Sequence, residues 1–116
     1  MVQEITGEDY TVLYDPTAAT IRFAGEMALS GLQAYEPITN LLRHSIEANP
    51  KVITLDLRKL AFLNSSGISM ISKFVLSLRR KKEIQLVVLG SKHMPWQSKS
   101  LRNLPKFLPG LQLDIE

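Results

Sequence analysis

A stretch in the second half of the chain sets the strongest limit on the fold. Two mostly apolar runs, residues 52–57 (VITLDL) and 84–89 (IQLVVL), flank a segment whose apolar side chains recur at helical spacing. Such runs are typical of strands buried between neighbours in an α/β sheet. The segment between them predicts a helix from Ser66 to about Lys82. Its apolar stripe, which would pack on the sheet, consists of Ile68, Met70, Ile71, Phe74, Val75 and Leu78.

The N-terminal half predicts a hairpin followed by a helix. Tyr10–Tyr14 and Thr20–Ala24 are β-rich runs separated by Asp-Pro-Thr, which favours two antiparallel strands joined by a short loop. Gly25–Tyr35 is expected to form a loop or an irregular turn. Pro37 suits the first turn of a helix, and Asn49-Pro50 is expected to end that helix.

The C-terminal segment completes the predicted order of elements. Pro95–Leu104 predicts a helix with Leu101 and Leu104 turned inward, which Pro105 would kink or stop. Leu111–Ile115 alternates as a short last strand. The order is therefore β-β-α-β-α-β-α-β, an α/β sandwich with a mixed sheet, N-terminal antiparallel strands and about three helices. The 116 residues are expected to form a single domain over residues 1–116.

The polar turn LNSSGIS, residues 63–69, lies between the first apolar strand and the predicted helix. Asn64, Ser65 or Ser66 could cap the helix by accepting its unpaired backbone N–H groups, with Gly67 relaxing the turn. A phosphate added to a serine here would meet the same N–H groups and the positive end of the helix dipole. The turn is thus compatible with a cap, with a phosphorylation site, or with both.

The order of elements and the run LDLRKLAFLNSSGIS, residues 55–69, resemble the STAS domains, and specifically the anti-sigma-factor antagonists of bacteria. In that family the turn usually reads Asp-Ser-Ser/Thr-Gly after an apolar residue, and the serine after the Asp accepts the phosphate. Leu63-Asn64-Ser65-Ser66-Gly67 matches this pattern with Asn in place of Asp. The resemblance therefore implies Ser65 as the phosphoacceptor, with Ser66 as the alternative.

The resemblance also implies a set of partners. An ATP-binding serine kinase with a histidine-kinase-like fold would phosphorylate the turn, and a metal-dependent serine phosphatase would reset it. Only the unmodified protein would capture its target, so the chain would be a non-enzymatic switch in a partner-switching pathway that regulates transcription. The alternative is a constitutive STAS-like interaction or small-ligand-sensing module in which Asn64 marks a lost phosphorylation input.

Charge is divided unevenly along the chain. Residues 1–50 hold two basic and seven acidic side chains, whereas residues 51–116 hold twelve basic and four acidic ones. The densest basic run, Arg79-Arg80-Lys81-Lys82, is either a solvated helix end that complements the helix dipole or part of a partner surface. A basic nucleic-acid-associated domain is the third reading, but no interleaved aromatics or helix-turn-helix pattern accompany the run, so no nucleic-acid partner is expected.

The segment MPWQSKS, residues 94–100, is not a general feature of the family that the chain resembles. Trp96 could anchor the core, or it could be an exposed aromatic beside Lys92, Lys99 and Arg102 on a binding surface. Trp96 and the basic run 79–82 are therefore the candidate partner surface.

Several kinds of chemistry lack support in the sequence. There is no cysteine, no Walker-type or Gly-x-Gly-x-x-Gly loop, and no His/Asp/Glu spacing for a metal, so no cofactor or metal is expected. Ser65 as a hydrolase nucleophile would need a base, but His44 and His93 lie outside any recognisable triad and the nucleophile-elbow pattern is absent. No signal peptide or membrane span is predicted, so we expect a cytoplasmic monomer without a membrane partner.

Overall fold

The computed structural model describes residues 2–116. One sheet holds six strands in chain order. The first three strands are antiparallel neighbours, and the pairs from the third to the sixth are parallel. The strands are β1 (Gln3–Thr6), β2 (Tyr10–Asp15), β3 (Thr20–Met27), β4 (Val52–Leu63), β5 (Gln85–Gly90) and β6 (Gln112–Ile115). The predicted mixed sheet with antiparallel N-terminal strands is confirmed.

The helices fill the crossovers between the parallel strands. The first two helices connect β3 to β4, the third connects β4 to β5, and the last two connect β5 to β6. They are α1 (Gly31–Ala34), α2 (Glu36–Glu47), α3 (Ser65–Ser77, continued by a 3-10 turn over Leu78–Arg80), α4 (Pro95–Ser100) and α5 (Leu104–Phe107). Because successive right-handed crossovers run in one direction along the sheet, these helices cover the same face.

The core lies between that sheet face and the helices. Alternate residues of the strands are buried, and buried residues of neighbouring strands are paired. Examples are Phe23 opposite Val12 and Val88 opposite Leu55. The predicted stripe of α3 supplies the other side, with Met70, Ile71, Phe74, Val75 and Leu78 buried and Ile68 partly buried. Apolar periodicity thus placed α3 on the sheet correctly.

The structure corrects the predicted elements in the N-terminal half and in β4. β1 was not predicted, because its four residues QEIT are largely exposed and lack an apolar alternation. Within the expected loop Gly25–Tyr35, β3 continues to Met27 and α1 forms a single short helix. β4 is 12 residues long and runs to Leu63 instead of ending near Leu57.

The predicted helix Pro95–Leu104 is divided. α4 ends at Ser100, a 3-10 turn spans Leu101–Asn103, and α5 begins at Leu104. Pro105 does not stop a helix but lies in the first turn of α5, where its missing N–H costs no hydrogen bond. Leu101 and Leu104 are buried, as predicted.

The second half of β4 extends beyond its neighbour β5. β4 pairs with β5 only as far as Asp56, whereas its pairing with β3 continues to Leu63 through two register shifts. Residues 57–63 of β4, here called the β4 extension, therefore have a strand on one side only. Its other edge needs hydrogen-bond partners from elsewhere.

Side chains of α4 provide those partners. The fully buried Gln97 donates from Nε2 to the carbonyls of Leu57 and Leu60 at 2.6 and 3.0 Å, and its Oε1 accepts from the Ser91 N–H at 2.7 Å. The indole Nε1–H of Trp96 donates to the same Leu60 carbonyl at 2.9 Å. The segment MPWQSKS thus holds in place the strand that leads to the polar turn.

Candidate functional site

Asn64, the second residue of the polar turn, caps α3. Its backbone is extended (φ −78°, ψ 175°), and its Oδ1 accepts from the Gly67 N–H at 3.0 Å. The Asn64 carbonyl accepts the first helical bond, from the Ile68 N–H at 2.9 Å. Of the three residues that the sequence offered as caps, the side-chain cap is Asn64, and Ser65 is the first residue of the helix.

A buried tyrosine ties the Asn64 side chain to the loop before α1. The Tyr35 hydroxyl donates to Asn64 Oδ1 at 2.7 Å and accepts from the Leu29 N–H at 3.3 Å. Asn64 Nδ2 donates to the Leu29 carbonyl at 2.8 Å. These bonds join Leu29, Tyr35 and Asn64 in a closed network, here called the Asn64 network. Burial raises the pKa of the Tyr35 hydroxyl. The network fixes the turn from one side.

The amide of Asn64 has a specific reason in this geometry. Its Nδ2 donates a hydrogen bond to a carbonyl oxygen, which an ionised aspartate of the same shape could not do. An aspartate carboxylate would place a second acceptor against the Leu29 carbonyl. The departure from the family's usual Asp is therefore matched by the surrounding loop.

Gly67 is required by close packing. A Cβ built on Gly67 would lie 2.2 Å from Leu63 Cδ1 and 2.8 Å from the Tyr35 hydroxyl oxygen. Relaxation of the turn, which the sequence suggested, is not the reason, because Gly67 has no positive φ. The glycine instead lets the tyrosine approach the helix.

The two serines differ in exposure. Ser65 is exposed and Ser66 is half-buried. Neither hydroxyl has a hydrogen-bond partner among residues 2–116. Ser65 is therefore an exposed serine at the start of α3, next to Asn64, whose side chain is held by hydrogen bonds.

An apolar and acidic surface lies beside the turn. A hollow of about 390 Å³, here called the acidic hollow, is lined by the turn between β1 and β2, the end of β3, Leu29 and Phe62. Glu8, Asp9 and Glu26 give it three carboxylates, and no basic side chain from residues 2–116 lines it. Phe62 is 45% exposed although it is a large apolar side chain. The hollow shares Leu29 with the Asn64 network, so it adjoins the turn.

The basic run 79–82 lies at the opposite end of α3 from the turn. At about 1.5 Å per residue, the helix separates Ser65 from Arg79 by about 20 Å. Arg79 Nε donates to the Phe107 carbonyl, and the three following side chains are exposed. The structure therefore does not bring this run together with Ser65.

Trp96 lies at the same end of the sheet as the polar turn. It is half-buried, packs against the core and uses its N–H to support the β4 extension. These contacts fit the anchor interpretation among the two that the sequence left open.

The open face of the sheet carries an ion cluster. The Arg58 guanidinium donates two hydrogen bonds to the buried Asp56 carboxylate, at 2.9 and 2.8 Å, and the Arg58 backbone N–H donates a third at 3.2 Å. Arg22 approaches the same carboxylate at 4.0 Å. The hydrogen bond from Arg58 lowers the pKa of the Asp56 carboxyl. The buried Asp56 in β4 therefore has a structural role, because arginine side chains neutralise its charge.

Neither histidine is placed as a base for Ser65. His44 lies in the last turn of α2, and neither it nor the exposed His93 hydrogen-bonds Ser65. Across residues 2–116, no three His, Cys, Asp or Glu side chains cluster in a way that could hold a metal ion. Within the same range, no helix has the length and apolar character needed to cross a membrane.

Sequence reasoning missed two residues that shape the site, Tyr35 and Gln97. Both are fully buried. Tyr35 bonds to Asn64, 29 positions away, and Gln97 bonds to Leu57, 40 positions away, in addition to their nearer partners Leu29 and Ser91. Local patterns carry no signal for such contacts. The only hint was the unusual segment around Trp96.

Solved structures with the same fold include SiaC of Pseudomonas aeruginosa, which is 12% identical with a TM-score of 0.76 and covers 100% of this chain and 98% of its own. A chain of the complex between diguanylate cyclase SiaD and its activator SiaC, from the same organism, is 13% identical with a TM-score of 0.73 and 97% of both chains covered. An anti-sigma factor antagonist from Mycobacterium paratuberculosis is 16% identical with a TM-score of 0.61, covering 98% of this chain and 84% of its own. At these identities the likeness shows the fold, and it confirms the predicted fold class.

Comparison of sequences gives the family. No curated protein matches the chain by sequence. The sequence pattern of the STAS domain, in contrast, matches residues 15–105, which is well over half of the chain and includes β4, the polar turn and α3. The resemblance seen in the run LDLRKLAFLNSSGIS is thereby confirmed, and the chain belongs to the STAS domain family.

Proposed function

We propose that this STAS domain is a non-enzymatic regulatory module that binds a partner protein, and that phosphorylation of Ser65 controls the binding. The observation that carries the proposal is the placement of Ser65. Ser65 is exposed and its hydroxyl has no hydrogen-bond partner within residues 2–116, while Asn64 before it is held by the Asn64 network and Gly67 two residues after it is closely packed. A modifying enzyme could reach this hydroxyl without unfolding the turn.

The surface beside the turn supports a protein partner. Phe62 and Leu32 are large apolar side chains that are 45% and 41% exposed, on the β4 extension and on α1. Exposed apolar groups with a charged rim are typical of interaction sites. The apolar side chains beside the acidic hollow therefore indicate a partner that binds mainly through apolar anchors.

The relatives support an interaction role. SiaC is named as the activator of a diguanylate cyclase and forms a complex with it, and another structure of this fold is an anti-sigma factor antagonist. Both act on other proteins. For this chain we propose a serine kinase with an ATP-binding fold and a metal-dependent phosphatase as the enzymes that set the state of Ser65.

Phosphorylation would change the surface in a predictable direction. A phosphoserine carries about −1.5 to −2 charges at neutral pH and is strongly hydrated. At the edge of the apolar surface it would add a desolvation cost and fill space that a bare hydroxyl leaves open. The unmodified protein is therefore the form that binds the proposed partner.

The first experiment asks whether the turn is modified. Protein purified from its native host should carry one added phosphate by intact mass, mapped to Ser65 by peptide sequencing and removed by a phosphatase. Absence of phosphate on both Ser65 and Ser66 would favour the constitutive module, for which the matched Asn64–Leu29 contact is the supporting observation.

The second experiment measures binding of the purified partner by calorimetry. Ser65→Ala should bind like the wild type, and Ser65→Glu at least about tenfold more weakly, equivalent to about 1.4 kcal/mol. Asn103→Glu adds the same charge at an exposed position between α4 and α5 and serves as the control. Equal affinities of Ser65→Ala, Ser65→Glu and the phosphorylated protein would contradict the switch.

A further inference from the structure

A groove separates α2 from α3 on the helical side of the molecule. Both helices connect neighbouring parallel strands, so they run in the same direction and their C-terminal ends lie together. The groove has a volume of about 530 Å³ and is lined by residues 39–47 of α2 and 70–81 of α3 and its 3-10 turn. It is called the α2–α3 groove below. Its lining begins at Met70 and excludes the polar turn.

The inner surface of the groove is apolar. Leu42, Met70 and Phe74 belong to the buried core and form the base, while Ile46 is only partly buried. Leu76, which also lines the groove, is 38% exposed and is one of the few large apolar side chains left in water. The volume of the α2–α3 groove, about 530 Å³, falls within the range of small-molecule sites, about 300–1,000 Å³.

The charged residues around the groove are mostly basic. Arg43 on α2 and Lys73, Arg80 and Lys81 on the other side face a single acid, Glu47. None of the four basic side chains takes part in an ion pair within residues 2–116. Arg43 and Lys73 lie before the last turns of their helices, so the helix dipole does not account for them. The groove therefore has an unbalanced positive edge.

The dimensions of the groove distinguish between possible occupants. Its lining spans about 15 Å along the helices, so an elongated ligand matches it better than a compact one. A peptide helix with side chains is about 10–12 Å across and could place only one face in the groove, whose volume of about 530 Å³ lies within the range of small-molecule sites. A single alkyl chain can lie along the apolar base with its polar head at the edge.

We propose that the α2–α3 groove is a binding site for a single-chain anionic amphiphile, namely a free long-chain carboxylate. Its alkyl chain contacts Ile46, Phe74 and Leu76, and its carboxylate pairs with the basic edge. The site goes beyond the proposed switch, since it lies toward the other end of α3 and requires no modification of Ser65.

The direct test is titration of ¹⁵N-labelled protein with dodecanoate below its micelle concentration. Saturable shifts should be confined to amides of residues 39–47 and 70–81, with Ser65 and Phe62 unaffected. Decanoate should bind about fifteenfold more weakly, because each buried CH₂ contributes about a factor of four. Undecyltrimethylammonium, with the same alkyl chain and the opposite charge, should bind at least about tenfold more weakly than dodecanoate.

Charge-reversal variants test the edge. The double variant Lys73→Glu/Arg80→Glu should weaken dodecanoate binding at least about tenfold, with an unchanged circular dichroism spectrum. Lys92→Glu/Lys106→Glu makes the same change in net charge at exposed positions outside the groove and should bind like the wild type. This comparison separates contact with the edge from the effect of overall charge.

Several results would overturn the proposal. These are failure to bind dodecanoate, equal binding of the cationic amphiphile, shifts centred elsewhere, or equal binding by the two double variants. Binding of anionic vesicles or of an acidic helical peptide without dodecanoate would assign the groove to a membrane or to a protein instead. None of these outcomes depends on phosphorylation, so they leave the proposed switch unaffected.

Discussion

Asn64→Ala should cost far more stability than Ser65→Ala, although both are small changes in the same turn. The first substitution removes hydrogen bonds to the Gly67 N–H, the Tyr35 hydroxyl and the Leu29 carbonyl, at 3.0, 2.7 and 2.8 Å. Each such bond contributes a net of about 1 kcal/mol, so the free energy of unfolding should fall by about 3 kcal/mol. Ser65→Ala removes no hydrogen bond and should change it by less than about 0.5 kcal/mol.

Urea unfolding followed by circular dichroism at neutral pH measures both values. With an m value of about 1.5–2 kcal/mol/M, Asn64→Ala should lower the midpoint by about 1.5–2 M. A double-mutant cycle with Tyr35→Phe should give a coupling of at least about 0.5 kcal/mol, because the two side chains share one bond. A loss below about 1 kcal/mol for Asn64→Ala, or an equal loss for Ser65→Ala, would refute the assignment of Asn64 as the cap and centre of the network.

Three further predictions concern the elements around the turn. Gln97→Leu should lower the free energy of unfolding by about 2 kcal/mol or more in urea titrations, because it leaves the Leu57 carbonyl and the Ser91 N–H without their side-chain partners and the Leu60 carbonyl with Trp96 alone; a loss under about 1 kcal/mol would contradict this. Since the folded-state pKa of Asp56 lies below its ordinary value of 3.8, its bond to Arg58 stabilises the fold above about pH 4, and this contribution is lost as the pH falls through the folded-state pKa. The difference in free energy of unfolding between the wild type and Asp56→Asn should therefore become smaller as the pH falls from about 5 to about 2.5. A difference that stays constant over this range would count against the pairing of Asp56 with Arg58. Gly67→Ala should melt at a lower temperature although alanine is the better helix former by about 1 kcal/mol, because the added Cβ would collide with Leu63 and the Tyr35 hydroxyl; a more stable variant would show that the packing is looser.

The sequence predicted the elements whose side chains follow a simple period. The stripe of α3 and the runs that became β4 and β5 were read correctly because burial on one face leaves a repeat of 3.6 or a continuous apolar run. The start of α3 was predicted at Ser66, one residue after its first residue in the structure, Ser65.

The elements that were missed lack such a pattern. The β4 extension is paired to β3 through two register shifts, which break the alternation of buried and exposed residues after Asp56. β1 is an edge strand with little burial, so its composition resembles a loop. In both cases pairing with a neighbour, and not the local sequence, decides the conformation.

The choice of cap could not be made from the turn alone. Asn and Ser are about equally good caps, so LNSSGIS permits three assignments. Asn64 is selected by Tyr35 and Leu29, which are distant in sequence and adjacent only in the fold. Long-range contacts of this kind decide between locally equivalent alternatives.

The closed network around Asn64 also determines what a modifying enzyme can recognise. A synthetic peptide that copies residues 60–72 contains Ser65 but lacks both Leu29 and Tyr35, so nothing in it would hold the amide of Asn64 or the approach to α3. In water so short a peptide is mostly unfolded. An enzyme that acts on Ser65 would thus read a three-dimensional epitope assembled from two distant parts of the chain, and a screen of linear peptides would overlook this protein as a substrate.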